Sequence, residues 1–142
     1  MVEVDIVAFA AQRATEESFA RLQELFDLYC EAIEHRAFAQ ATKVNYDFHM
    51  ALAQMSLNPF VAPMIDHLLR TVPFSLRESE FMLLADITVD EIVALEIELH
   101  QRILSAIEAR DSEAAREAML AHMRFEEDIV RRAFAGVTSA SA

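Results

Sequence analysis

Apolar positions recur every three to four residues along most of this 142-residue chain, the period of one buried face of an α-helix. Phe19, Leu22, Phe26, Tyr29 and Ile33 make one such stripe. Thr15 stands before it as an N-cap, and Glu16 and Glu17 suit the positive end of the helix dipole. An earlier helix is expected over about residues 4–13 and a third over about 37–56. Asn58 should cap a fourth, with Pro59 at its first position and Pro63 near its start. Pro73 offers no backbone N–H, so it should kink or split that segment. Thr88 to Glu91, "TVDE", has the capping-box pattern and opens a fifth helix to about Arg110. Asp111 caps a sixth, expected to end near Phe134 with Gly136 as its stop. Short connections make neighbouring helices antiparallel. The expected fold is all-α, an antiparallel bundle of about six helices. It divides into a helical domain over residues 1–135 and a flexible tail over 136–142.

Composition strengthens that picture. The chain has one glycine, Gly136, and three prolines, too few turn formers for a strand-rich fold. Just over half of the residues are apolar, which suits a packed core. The net charge of −12 opposes contact with nucleic acid and with anionic membranes, since both require a basic surface. The sole lysine is Lys43. With Cys30 as the single cysteine, no intrachain disulfide can form, which fits a reducing cytoplasmic setting. No apolar run approaches the roughly 18 residues of a membrane span, and no secretory signal opens the chain.

The five histidines carry the candidate chemistry. His35 ends a helix, where it suits the terminal carbonyls, and His67 follows Pro63 and Met64 by one turn; both read as structural. The other three lie on apolar faces. His49 has Asn45 one turn before it and Leu52 and Ala53 one turn after. His100 shares its face with Val93, Ile97, Ile103, Leu104 and Ile107. His122 shares its face with Ala115, Met119, Phe125 and Ile129. Three inward histidines on three helices can converge on a divalent metal, with Asn45 adding an amide oxygen. Coordination would replace the hydration they lose on burial. The alternative is three separate core histidines, each hydrogen-bonded to a carbonyl or carboxylate.

Two stretches bear a family likeness. "NYDFHMALAQMSLNPF" resembles the "D-x-x-F-H…A…S…N-P" signature of the FadR-type C-terminal domain, FCD, of GntR-superfamily transcription regulators. "LHQRILSAIEARDSEAAREAMLAHM" resembles its second signature, in which two histidines stand as far apart as His100 and His122, 22 residues. "AFAAQRATEE" is similar to the family's first helix and turn, and the likeness spans about residues 4–134. The resemblance implies an all-helical effector-binding domain in which an aspartate and three histidines hold a divalent ion. It implies metal ligation by His49, His100 and His122, with Asn45 at the aspartate position. That departure removes a negative charge. Asp47 points elsewhere, whereas Glu96, one turn before His100, could restore the charge.

The function implied is ligand sensing and dimerisation within a transcription regulator. Zinc or nickel suits the imidazoles best, and a small carboxylate metabolite suits the ion's open positions. Arg77 and Arg70 are the candidate effector contacts, chosen for bidentate pairing. The chain is expected to form a homodimer, to be cytoplasmic and not to meet a membrane. Members of the superfamily normally carry a winged helix-turn-helix domain. No stretch of this sequence fits one, so this chain alone should not bind DNA. Two other classes compete: a metal-dependent helical-bundle enzyme and a metal-free interaction bundle. The enzyme reading is disfavoured. No histidine has a glutamate three residues before it, HExxH is absent, and Cys30 has no basic neighbour in sequence.

Overall fold

A computed structural model of the protein describes residues 2–71 and 87–140, with side chains described over 2–70 and 87–136. Six α-helices succeed one another among the described residues: α1 Val2–Arg13, α2 Glu16–Glu34, α3 Phe38–Met55, α4 Val61–Thr71, α5 Val89–Glu108 and α6 Ser112–Ala140. This is the all-α bundle that the apolar stripes predict.

Capping chemistry sets three of the helix starts. The Ser18 N–H donates to Thr15 Oγ1 at 3.0 Å, and the Thr15 N–H donates back to Ser18 Oγ at 2.8 Å. Thr88 and Glu91 exchange the same pair of bonds at 3.1 and 2.8 Å. Asp111 Oδ1 accepts from the N–H groups of Glu113 and Ala114 at 3.1 and 3.0 Å.

Two boundaries differ from expectation. Pro59 precedes α4 and does not open it. The Phe60 N–H donates to Asn58 Oδ1 at 3.0 Å, and the Val61 N–H donates to the Asn58 carbonyl at 3.1 Å. Asn58 thus closes a local turn, and the helix is delayed to Val61. Helix α6 also passes through Gly136 to Ala140. A glycine within a helix costs only about 1 kcal/mol, and Ile129 and Ala133 pack the preceding turns. Pro73 lies outside the described residues.

With one glycine, the chain ends its helices by other means. Arg36, Leu57 and Arg110 take left-handed φ values of 58°, 56° and 55° just beyond α2, α3 and α5. At Arg36 the turn closes with Arg36 N–H to Ile33 O at 3.1 Å and Ala37 N–H to Ala32 O at 2.9 Å. Arg110 and Asp111 repeat that pairing after α5, both at 3.0 Å.

The tight turns fold α2 back on α3 and α5 back on α6, while α1 lies against α3, α5 and α6. Tyr29, Phe48, Leu22, Ile33, Leu52, Ile103, Leu104, Ile107, Met119 and Ile129 fill the space between them. Each large apolar side chain removed from water stabilises the fold by about 1.5–3 kcal/mol. Helix α4 packs on α3, over a smaller cluster of Ile6, Ala53 and Ile65. Five polar side chains are buried among the described residues: His49, Ser56, Glu96, His100 and His122. Ser56 donates to the Ala53 carbonyl at 2.6 Å. The other four meet at one place.

Candidate metal centre

Each histidine arrives by the apolar stripe of its own helix. On α3, His49 follows Ala41, Val44 and Phe48 and precedes Leu52 on the buried face. On α5, His100 sits among Val93, Glu96, Ile103 and Leu104. On α6, His122 stands between Met119 and Ile129. Because α3, α5 and α6 turn these faces to one core, the rings meet. Their centroids are 4.6 Å apart for His100 and His122, 5.3 Å for His49 and His122, and 5.9 Å for His49 and His100. One nitrogen of each ring lies within 4.8 Å of the other two. Two ligands about 2.1 Å from one ion stand roughly 3–4 Å apart, so the arrangement is close to a three-nitrogen site.

Hydrogen bonds orient His100. Its Nδ1 lies 2.7 Å from the Glu96 carbonyl oxygen, which can only accept, so Nδ1 carries the proton and donates. Burial pushes the His100 pKa down to about 3, with the neighbouring His122 charge adding to this. Although Glu96 Oε2 is 3.4 Å from Nδ1, His100 is therefore neutral and makes no ion pair. Its Nε2 presents a lone pair 2.7 Å from Asn45 Oδ1. Two acceptors do not attract each other. Either the Asn45 amide turns its NH₂ to Nε2, or a cation lies against both atoms.

His122 is the least satisfied group. It is 0% exposed, and among the described residues neither Nδ1 nor Nε2 has a hydrogen-bond partner. Glu96 Oε2 and Glu126 Oε1 both lie 3.7 Å from Nε2, ion-pair distances too long for hydrogen bonds. Burial opposes a charge on His122, but Glu96, Glu126 and Glu3 outweigh it and raise the pKa to about 9. Without a metal, this imidazole holds a proton as the cation among carboxylates. Burial pushes Glu96 up, and His122, His100 and Tyr29 more than offset it, so the carboxyl is held below its ordinary range. The Tyr29 hydroxyl donates to Glu96 Oε2 at 3.0 Å. On α1, Glu3 Oε1 stands 3.5 Å from His49 Nδ1.

The predicted ligands thus come together: His49, His100 and His122 in one cluster, with Asn45 at its edge in contact with His100. Asp47 points outward and pairs with Lys43 at 2.9 Å. Arg70 lies exposed on α4, bonded to Asp66 at 2.8 Å and stacked over the Tyr46 ring at 5.5 Å. Arg77 lies outside the described residues. Sequence reasoning missed Glu3 and Glu126, and it placed Tyr29 in an apolar stripe. A signal for Glu126 was present. It follows His122 by four residues, just as Glu96 precedes His100 and Asn45 precedes His49.

The FCD domain family matches residues 1–125. The chain is 27% identical over 135 residues to the HTH-type transcriptional regulator LutR of Bacillus subtilis, covering 92% of this chain and 58% of that protein. It is 29% identical to the Uxu operon regulator of Haemophilus influenzae, covering 87% of this chain and 45% of that protein. Among solved structures, McbR/YncC of E. coli superposes with a TM-score of 0.77 at 27% identity, over 94% of this chain and 60% of that one. The chain therefore spans about half the length of the curated relatives it matches. The relatives are named as regulators, which points to a regulatory rather than an enzymatic role. Among the described residues, no helix is long and apolar enough to cross a membrane. By the match over most of its length, the chain belongs to the FCD domain family of GntR-type transcription regulators.

Proposed function

We propose that this domain senses a small carboxylate effector for a GntR-type regulator, through a divalent metal held by His49, His100 and His122 with Asn45. The observation that carries the reading is His122, fully buried beside two other imidazoles, with neither ring nitrogen hydrogen-bonded among the described residues. Its carboxylate neighbours stand at ion-pair distance only, and coordination would supply the close contact that the ring nitrogens lack. Neutral His100, its tautomer fixed by the Glu96 carbonyl, offers Nε2 to the same space. Zinc or nickel suits three imidazoles. When bound, such an ion keeps positive charge and open positions for an anionic oxygen.

Signalling then rests on linkage. An effector that fits one arrangement of the bundle better than another shifts the population toward it. Arg70 and Arg77 remain the proposed carboxylate contacts, and Arg70 would exchange its Asp66 partner to serve. The working form is a homodimer in the cytoplasm.

Elemental analysis of protein purified without chelator tests the metal, followed by zinc and nickel titrations of wild type and His122→Ala. The expected result is bound metal and a higher melting temperature on loading in wild type alone. Small carboxylates should then give heat with the loaded protein. No metal and no thermal shift would leave a metal-free interaction bundle, and the reading would fail.

A further inference from the structure

We propose that Glu96, His122 and Glu126 form a second cation position beside the histidine triad, with an oxygen-rich donor set suited to manganese-type ions. It deepens the proposed function, on which it rests for a cation-binding core; it shares His122 with the triad, and because a neutral imidazole has one lone pair the two positions are alternatives for that ring.

The geometry is specific. Glu96 comes from α5, while His122 and Glu126 stand one turn apart on α6. One ligand atom from each lies within 4.8 Å of the other two. His122 Nε2 is 3.7 Å from each carboxylate. That is too long for a hydrogen bond, yet it matches the roughly 3–4 Å between two ligands of one ion. The imidazole between them is wholly buried and, among the described residues, without a hydrogen-bond partner. The Tyr29 hydroxyl, 3.0 Å from Glu96 Oε2, fixes that carboxylate as an outer-shell donor fixes a ligand.

Charge points the same way. The triad with Asn45 carries no formal negative charge, so a divalent ion there is uncompensated by its ligands. The second set carries two carboxylates. Among the described residues their ion-pair partners are histidines, so no arginine or lysine already fills the role of cation. The buried Glu96 requires such a partner. In this chain, the anionic contact missing from α3 is supplied by α5 and α6. Carboxylate-rich sets favour manganese, whereas imidazole sets favour zinc and nickel.

Calorimetric titration of manganese and of zinc into the whole chain separates the two positions. Wild type, Glu126→Gln, His49→Ala and His122→Ala are compared, with helicity by circular dichroism as the folding control. Glu126 is partly exposed, so its amide variant should fold. The expected result is that Glu126→Gln weakens manganese by at least about tenfold, with zinc changed by less than about threefold. His49→Ala should do the reverse, and His122→Ala should weaken both. Manganese binding that is absent in wild type, or unmoved by Glu126→Gln, or lost in step with zinc, overturns the second position. Zinc binding that survives His49→Ala would instead strike the triad, while the manganese result still decides this inference.

Discussion

Helix α6 places Glu126 and Glu127 side by side, and the two behave as opposites. Glu127 faces water and pairs with Arg131 one turn on at 2.7 Å, both side chains more than half exposed. Glu126 turns inward to His122, one turn back, at 3.7 Å. Helix α3 repeats the contrast. Lys43 and Asp47 pair on the outside at 2.9 Å, while Asn45 and His49 face the core, where Asn45 reaches across to His100 at 2.7 Å. Spacing of four residues puts two side chains on one face in every case. Burial decides how much each pair matters. Outside, water can replace either partner, and the pair is worth little. Towards the core, water is scarcer, and a polar atom left without a partner costs more.

The largest test of this contrast is His122→Ala. It removes the cation-capable group that, among the described residues, Glu96 and Glu126 share. Deleting one partner of a buried charged set costs about 3–5 kcal/mol. Chemical denaturation of chelator-treated protein should show a loss of that order, and zinc should no longer raise the melting temperature. A loss below about 1 kcal/mol would mean that the inner pairs behave like the outer ones.

The second test is pH. His122 has a folded-state pKa of about 9 against an ordinary 6.5. A raised pKa means that the folded protein keeps a proton which the unfolded chain releases. This contribution is fully present below about pH 6.5 and is lost as pH rises toward 9. Melting temperature in chelator should fall across that window, and His122→Ala should flatten this part of the fall. Zinc should flatten it too, because the ion displaces the proton. A curve without slope between those limits in wild type would deny His122 its charged role.

Much of the centre was legible in the sequence because helices translate spacing into faces. The stripes around His49, His100 and His122 were enough to turn all three inward. The capping residues Thr15, Thr88 and Asp111 marked helix starts because their side-chain oxygens accept locally. What stayed hidden depends on contacts between helices. Glu3 meets His49 only because α1 lies against α3. Tyr29 looked apolar because its ring fills the core, while its hydroxyl reaches Glu96, 67 residues away. The early end expected for α6 failed because a glycine stops a helix only when nothing beyond it favours continuing.

A third test sharpens the inner site by changing one atom pair. Asn45→Asp converts the amide beside His100 into a carboxylate without altering its size. An added negative charge within a few ångströms of a divalent ion should tighten zinc by about tenfold, or about 1.4 kcal/mol. In chelator the same change should lower the melting temperature, because it adds an anion to a core that already holds Glu96. Opposite signs with and without metal are the diagnostic result. A variant that is simply less stable in both conditions would show that Asn45 serves packing alone.

The smallest effect belongs to the outer pair on α3, and it completes the comparison. Lys43 is mostly exposed, and the Asp47 side chain is 33% exposed. Their attraction acts through solvent, and holding two side chains in one geometry costs entropy. A double-mutant cycle with Lys43→Ala, Asp47→Ala and the double variant should give a coupling of about 0.3–0.5 kcal/mol. Salt should reduce it, since screening acts over about 10 Å at 0.1 M. Zinc affinity should not change in any of the three, although Asp47 lies only two residues from His49. A helix turns each successive residue by about a third of a circle, so Asp47 points away from the ring it nearly adjoins. If Asp47→Ala weakened zinc as strongly as a change at His49, the division between the outer and inner faces of α3 would be wrong.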